Sequence, residues 1–259
     1  MLVSELMLQQ TQVSRVVPKY RVFLQRFPTV ASCAAGSAGD VVIRWEGLGY
    51  NRRAVNLHRA ACLVVEEHDG QLPDDLAGLM TLPGIGPYTA RAVLAFAHER
   101  DVGVVDTNAA RVLARTAGHS LRAAEVQARA DEAVPPGQGW VWNQAVLDLG
   151  ATVCRSRAPD CGVCPVALGC TWHRAGNPAP DPARGSAGSG SGQSRFEGSD
   201  RQGRGRLVDR LRHDGRLEPA GIASAAGWPD DPTRTAAAVA SLVRDGLAVE
   251  HDDGTLTLP

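Results

Sequence analysis

Residues 82–93 read LPGIGPYTARAV, and the first five, Leu82-Pro83-Gly84-Ile85-Gly86, separate two helical stretches. Gly84 and Gly86 let the backbone turn tightly and come close to a ligand. The helix that follows exposes its first amide N–H groups, which suit a phosphate. On these residues alone the segment is either an ordinary helix–helix turn or a hairpin that grips a nucleic-acid backbone.

Working outward, residues 1–153 read as helices. Val13, Val16, Val17, Tyr20, Phe23, Leu24 and Phe27 recur at steps of three and four, as a core-facing stripe does. Pro18 is expected to break that stripe into two helices. Further helices are expected near 39–46, 52–68, 74–80, 87–98, 106–117, 122–133 and 140–153, opened by Ser or Asp and punctuated by Gly or Pro. No sustained period-two alternation occurs there, so the fold class is all-α. Residues 175–203, AGNPAPDPARGSAGSGSGQSRFEGSDRQG, have the composition of a flexible linker. Beyond it, 204–213, 219–226 and 232–245 read as three helices. Leu247–Glu250 and Thr255–Leu258 then flank Asp252-Asp253-Gly254, a hairpin signal. The expected organisation is a core over 1–174, a linker over 175–203 and a small winged-helix-like or packing domain over 204–259.

The chain has 259 residues, 44% of them hydrophobic and 21% charged, which excludes a disordered protein. No apolar stretch could span a bilayer, and MLVSELMLQQ has neither a basic flank nor a cleavage site. A monomeric, cytoplasmic protein with no membrane partner is expected. The net charge of −1 gives no global basic field. Residues 1–60, however, carry eight basic and three acidic groups, whereas 61–153 carry six and twelve. A basic first segment fits a phosphate-facing surface, or simply a solvated helix face. Lys19 is the only lysine among 27 basic residues, so any lysine nucleophile has one candidate.

Six cysteines are present. Cys33 and Cys62 lie in apolar surroundings and read as core. Cys154, Cys161, Cys164 and Cys170 are spaced C-x6-C-x2-C-x5-C and are punctuated by Pro159, Gly162, Pro165 and Gly169. Such a loop can wrap one metal centre. A disulfide framework does not fit a chain without a secretion signal. Zinc competes, since it also takes four thiolates, though usually through paired C-x2-C arms. The run differs from the bacterial ferredoxin pattern C-x2-C-x2-C-x3-C-P.

Two carboxylates stand out. Asp106 follows Val102-Gly103-Val104-Val105 and precedes the helical TNAARVLAR, which suits a helix N-cap or a carboxylate lining a cleft. Glu5 in SELMLQQTQV is flanked by Leu6, Met7 and Leu8. A carboxyl in apolar surroundings has a raised pKa and can act as a general acid, whereas a surface Glu cannot.

Together these segments resemble one family, the adenine DNA glycosylases of the helix-hairpin-helix, endonuclease III superfamily. The matching stretches are SELMLQQTQV at 4–13, WEGLGYNRRAVNLH at 45–58, LPGIGPYTARAV at 82–93, VVDTNAARVLAR at 104–115, WNQAVLDLGATVC at 142–154, and the cysteine loop. The resemblance implies a helical core with the hairpin and a loop domain whose four cysteines, Cys154, Cys161, Cys164 and Cys170, hold one [4Fe-4S] cluster. It places the catalytic carboxyls on Glu5 and Asp106, with Asn108 and Tyr88 holding them in register. Leu8, Gln9, Gln10 and Thr11 would enter the duplex, Tyr50 would be its wedge, and Gly84 and Gly86 would sit in the phosphate-binding hairpin. Where relatives often have a second Tyr after Tyr50, this chain has Asn51, and Gln144 stands where some have an acid.

The activity so implied is removal of adenine opposite 8-oxoguanine or guanine in double-stranded DNA, during base excision repair. The adenine is flipped out of the stack. A protonated Glu5 would donate to the purine, and an ionised Asp106 would stabilise or trap the sugar cation. General acid catalysis gives about 10²–10⁴-fold, so charge stabilisation and positioning must supply the rest. Arg155 and Arg157 on the loop would meet phosphate.

Three rivals fit parts of the chain. An endonuclease III-like bifunctional lyase needs a lysine in the helix after the hairpin, where this chain has Tyr88. An iron–sulfur electron carrier leaves the hairpin and both carboxylates unexplained. A non-catalytic, iron–sulfur DNA-binding protein or impaired fragment is suggested because the family carries a further segment ahead of SELMLQQT, while Met1 stands close to it here. Many relatives also carry a C-terminal domain resembling the 8-oxo-dGTP hydrolases. Only 89 residues follow Cys170, too few for a linker and that domain. Residues 204–259 are therefore expected to add general duplex affinity through Arg204, Arg206 and Arg210, leaving lesion contact to Gln10 and Tyr50.

Overall fold

The computed structural model of the chain describes residues 1–187 and 195–259. Its helices are α1 (Leu2–Leu8), α2 (Val13–Arg26), α3 (Val30–Ala34), α4 (Ala38–Arg44), α5 (Arg52–Glu67), α6 (Leu76–Thr81), α7 (Pro87–Ala97), α8 (Thr107–Ala117), α9 (Ala123–Ala133), α10 (Gly139–Thr152), α11 (Thr171–Arg174), α12 (Asp200–Asp214), α13 (Pro219–Ala226) and α14 (Pro232–Arg244). Among the described residues three two-residue strands, β1 (Arg216–Leu217), β2 (Val249–Glu250) and β3 (Leu256–Thr257), lie in the C-terminal part. Among the described residues no helix is long and apolar enough to cross a membrane. The described residues divide into two compact units: residues 74–77 and 86–187 with Met1, and residues 2–73, 78–85 and 195–259.

In the first unit α8 is the central helix, with α9, α10 and α11 packed on it. Its buried face is built of small residues, Ala110 and Ala114, which meet Leu121 and Val126. α8 starts at the Asp106 cap and stops at Gly118, whose φ of +81° only glycine adopts without strain. A Cβ on Gly118 would also lie 2.6 Å from Thr171 Cγ2, so the same glycine admits α11. Part of the expected linker is built into this unit. Ser186 is buried, and Ala187 N–H donates to Leu121 O at 3.0 Å.

In the second unit α5 is central, with α1, α3 and α4 against it. Ala54, Val55, Leu57, Ala60, Ala61 and Val64 form its buried face. Contrary to expectation, Pro18 does not split α2. The carbonyl that it deprives of a partner, on Ser14, lies in the second residue of the helix. Both Ser14 and Pro18 are exposed, so water can replace the missing N–H. Of the expected stripe, Val16, Phe23 and Phe27 are buried, but Val13 and Val17 face solvent.

Residues 195–259 belong to the second unit. Helix α12 begins at Asp200, earlier than composition suggested, because Ser199 caps it by accepting from Gln202 N–H. The hairpin signal at Asp252-Asp253-Gly254 corresponds to β2 and β3, antiparallel with Val249 opposite Thr257. β1 adds to β3, giving the order β1-β3-β2.

Candidate active site

Asp106 sits at the start of α8, the central helix of the first unit. Its Oδ1 accepts from the N–H groups of Asn108 and Ala109, both at 2.7 Å. Its Oδ2 accepts from Asn108 Nδ2 at 2.9 Å. The expected N-cap is thus formed, and Asn108, expected to hold the carboxyl in register, donates to it. Arg111, one turn on, donates to Asn108 Oδ1 at 2.7 Å, to Gly150 O at 2.6 Å and to Cys154 O at 2.6 Å. A continuous chain of hydrogen bonds therefore runs from the Asp106 carboxylate to the backbone carbonyl of Cys154, the first cysteine of the loop. Gly150 permits it. A Cβ there would lie 2.6 Å from Asn108 Cβ, so any side chain would push α10 off α8.

The four cysteines line one cavity whose apolar wall is Val112, Leu149, Val153, Val166 and Trp172. Among the described residues no three His, Cys, Asp or Glu side chains converge as ligands of a single ion. Burial pushes the Cys161 thiol up, the neighbouring Cys154, Cys164 and Cys170 add to this, and Arg115 opposes it. Arg115, almost fully buried, donates to Cys154 Sγ at 3.3 Å and to Arg155 O at 2.8 Å. Cys170 Sγ lies 3.3 Å from Arg115 O. Burial works against the Arg115 charge, yet Asp181 at 2.6 Å and Cys154 hold its pKa above the ordinary value. The donor set fits a group that takes four thiolates, with one buried cation to offset their charge. Beside it, Arg111, Arg155, Arg157 and Arg184 line an open groove that includes Thr107 and Asn108.

In the second unit Glu5 lies on α1 and is 9% exposed, between the buried Leu6 and Met7 side and the start of the helix. The expected duplex-entering residues follow directly. Leu8, Gln9 and Thr11 are half-buried and Gln10 is exposed. Gln10 has φ +56° and Tyr50 φ +46°, both in the left-handed region that is strained for non-glycine residues. One side chain holds both turns. Arg53 Nη1 donates to the carbonyls of Leu6 (2.6 Å), Met7 (3.1 Å) and Gln9 (2.6 Å). Its Nη2 donates to Thr11 Oγ1 (3.2 Å), Leu48 O (3.0 Å) and Gly49 O (3.0 Å). The guanidinium also lies 5.5 Å from the ring centroids of Trp45 and Tyr50. Burial lowers the Arg53 pKa to about 10, with Tyr50 opposing the shift.

In the hairpin Leu82 and Ile85 are buried, and Ile85 N–H donates to Leu82 O at 3.1 Å. Gly84 has φ +79°, and a Cβ on it would lie 2.7 Å from Asn56. Gly86 opens α7 with Pro87 in its first turn and no side-chain cap. Tyr88, on α7, packs against Ala92, Ala95 and Val104.

The first unit thus gathers Asp106, Asn108, Tyr88, Gly86 and the four cysteines, and the second gathers Glu5, Leu8 to Thr11, Tyr50 and Gly84. Sequence reasoning missed Arg53, Arg111, Arg115, Asp181 and Arg184. Arg111 could have been found as the i+3 neighbour of Asn108 on one helix face. Arg53 and Arg115 bind largely carbonyls, which leave no mark in sequence.

Residues 3–136 match the model of the HhH-GPD superfamily base excision DNA repair proteins. The chain is 42% identical over 262 residues to the adenine DNA glycosylase of Mycolicibacterium smegmatis, covering 99% of this chain and 86% of the relative. In fold it is similar to a thermostable thymine-DNA glycosylase, at 25% identity and TM-score 0.62, over 67% of this chain and 83% of the other. It is likewise similar to endonuclease III trapped as a covalent intermediate with DNA, at 21% identity and TM-score 0.60, with the same coverage.

Proposed function

We propose, because the chain belongs to the HhH-GPD superfamily of base excision DNA repair proteins and to the adenine DNA glycosylase family within it, that it hydrolyses the N-glycosidic bond of adenine opposite 8-oxoguanine or guanine in duplex DNA. The observation that carries the reading is the chain of hydrogen bonds from Asp106 through Asn108 and Arg111 to Cys154. It ties a carboxylate at a helix start to a thiol loop bordered by arginines, and an electron carrier has no use for such a tie.

In this reading Glu5, buried on α1, donates a proton to the flipped adenine and makes it a leaving group. Asp106, its rotamer locked by three N–H donors, faces the cation-like sugar and stabilises it or traps it covalently until water completes hydrolysis. Asn108 and Tyr88 keep that carboxylate in register. Gln9, Gln10 and Thr11, behind Leu8, enter the stack together with Tyr50. Gly84 and Gly86 admit a phosphate to the start of α7. Arg155 and Arg157, in the groove with Arg111 and Arg184, take further phosphates. Cys154, Cys161, Cys164 and Cys170 would hold a [4Fe-4S] cluster, which would order the loop that carries Arg155 and Arg157 and take no part in bond cleavage. With no lysine after the hairpin, the enzyme is monofunctional. It acts as a monomer on DNA in the bacterial cytoplasm.

The test is adenine release from a duplex with adenine opposite 8-oxoguanine, with iron and zinc measured on the same sample. Adenine release, an intact abasic strand and iron in the protein are expected. A folded, iron-loaded protein that releases no adenine refutes the reading.

A further inference from the structure

Tyr50, the residue read above as the wedge, is held from two directions. The Arg53 guanidinium, three residues on, lies 5.5 Å from its ring centroid. From the C-terminal segment, the Arg201 guanidinium lies 5.9 Å from the ring centroid, and its Nη1 donates to the phenol oxygen at 3.3 Å. Arg201 is itself steadied by the Phe196 ring, 5.3 Å away.

The next residue is gripped as well. Asn51 Oδ1 accepts from Arg212 Nη2 at 2.8 Å, while Arg212 Nε donates to Val42 O at 3.0 Å. The Arg212 side chain is 5% exposed. The asparagine that departs from the family pattern is therefore a docking residue for α12. Three further contacts join the same surfaces. Arg52 pairs with Asp245 at 3.7 Å, and Gly39 N–H donates to Pro259 O at 2.7 Å. Gly246, with φ +70°, lies against Arg59 and Val55.

By contrast, two arginines expected to meet phosphate are engaged within the C-terminal segment. Arg204 pairs with Asp245 and Ser241, and Arg210 pairs with Asp214 at 2.6 Å.

We propose that Arg201 is a positioning residue for Tyr50, so that the C-terminal segment sets how the wedge is presented and hence how well the base opposite adenine is discriminated. The inference rests on the reading of Tyr50 as a duplex-entering residue. A tyrosine whose backbone is already left-handed and whose ring centroid lies 5.5 and 5.9 Å from two guanidinium groups is ordered before DNA arrives. Ordering one interface side chain beforehand corresponds to roughly threefold to tenfold in affinity. The gain falls on the duplex whose lesion the ring touches, whereas a phosphate contact would act on every duplex alike.

The experiment measures equilibrium binding of the full chain at one salt concentration to two labelled duplexes. One carries adenine opposite 8-oxoguanine and the other is undamaged, and adenine release is followed on the first. Arg201→Ala should lower the preference for the damaged duplex roughly threefold to tenfold, with affinity for the undamaged duplex within about twofold. Arg201→Lys should recover part of the preference. In a Tyr50→Ala background Arg201→Ala should change it by less than about twofold. Thermal melting of each variant separates positioning from misfolding, and Tyr50→Phe, which keeps the ring and removes the phenol oxygen, gives a milder second probe. Equal weakening on both duplexes, or an undiminished effect of Arg201→Ala in the Tyr50→Ala background, overturns the proposal. So does an unchanged preference in a wild type that discriminates. A wild type that neither discriminates nor releases adenine overturns the functional reading and this inference together.

Discussion

Replacing Arg53 tests whether one buried cation holds the two turns of the second unit. Its guanidinium makes six hydrogen bonds, five to backbone carbonyls and one to Thr11 Oγ1. The four Nη hydrogens share these six acceptors, and at about 1.5 kcal/mol net for each charged N–H they amount to about 6 kcal/mol. Releasing Gln10 and Tyr50 from left-handed backbone returns about 1–2 kcal/mol apiece. Arg53→Ala should therefore destabilise the protein by about 2–4 kcal/mol, a large part of the 5–15 kcal/mol typical of a folded domain. Arg53→Lys keeps the charge but offers one ammonium where a planar fork reaches six acceptors, so about half of that loss is expected. Urea unfolding gives the free energies. Limited proteolysis reports whether 8–11 and 47–51 become cleavable before the rest of the chain. An Arg53→Lys protein within about 0.5 kcal/mol of wild type, with an unchanged cleavage pattern, would refute the reasoning, because the fork would then carry no weight.

Four further outcomes are expected. Glu5→Gln removes a proton donor and almost no volume, so it should abolish adenine excision while binding to the damaged duplex stays within about threefold; similar excision rates in single-turnover assays would remove Glu5 from the chemistry. Cys161→Ser or Cys164→Ser should cost the protein its iron absorbance and leave the 155–169 loop open to protease; a wild type with one zinc and no iron would overturn the cluster. Borohydride should trap no covalent complex through Lys19, which pairs with Glu46 at 3.6 Å beside Gly47; efficient trapping there would indicate a lyase. Burial pushes the Asp181 carboxyl up, but Arg115, the Ala183 N–H and Arg184 outweigh it, so its pKa lies below the ordinary 3.8. The stability it adds is complete above about pH 4 and is lost as pH falls through the folded value. Asp181→Asn should thus cost about 1–3 kcal/mol at pH 7, with a gap that narrows below pH 4 in acid titrations followed by circular dichroism.

Helices and caps were legible in the sequence because they are local. The 3.6-residue recurrence and the cap at Asp106 need no distant partner, and α5, α7, α8 and α9 begin and end within a residue or two of where pattern placed them. The cysteine spacing and the two glycines of the hairpin were legible for the same reason, since chemistry or backbone freedom is written into the residue type. Pro18 was misread because the cost of an interior proline depends on whether water reaches the carbonyl it orphans, which sequence does not record. Tertiary structure alone decided the rest. Arg53 and Arg115 are indistinguishable in sequence from the other arginines, yet their donors meet carbonyls brought together from positions as far as 47 residues away. Asp181 lies in a stretch with linker composition, and only the approach of α8 turns it into the partner of a buried cation. Asn51 read as a missing tyrosine until α12 placed Arg212 against it. A side chain's type fixes which bonds it can make, but burial and the convergence of distant backbone decide which of them it does make.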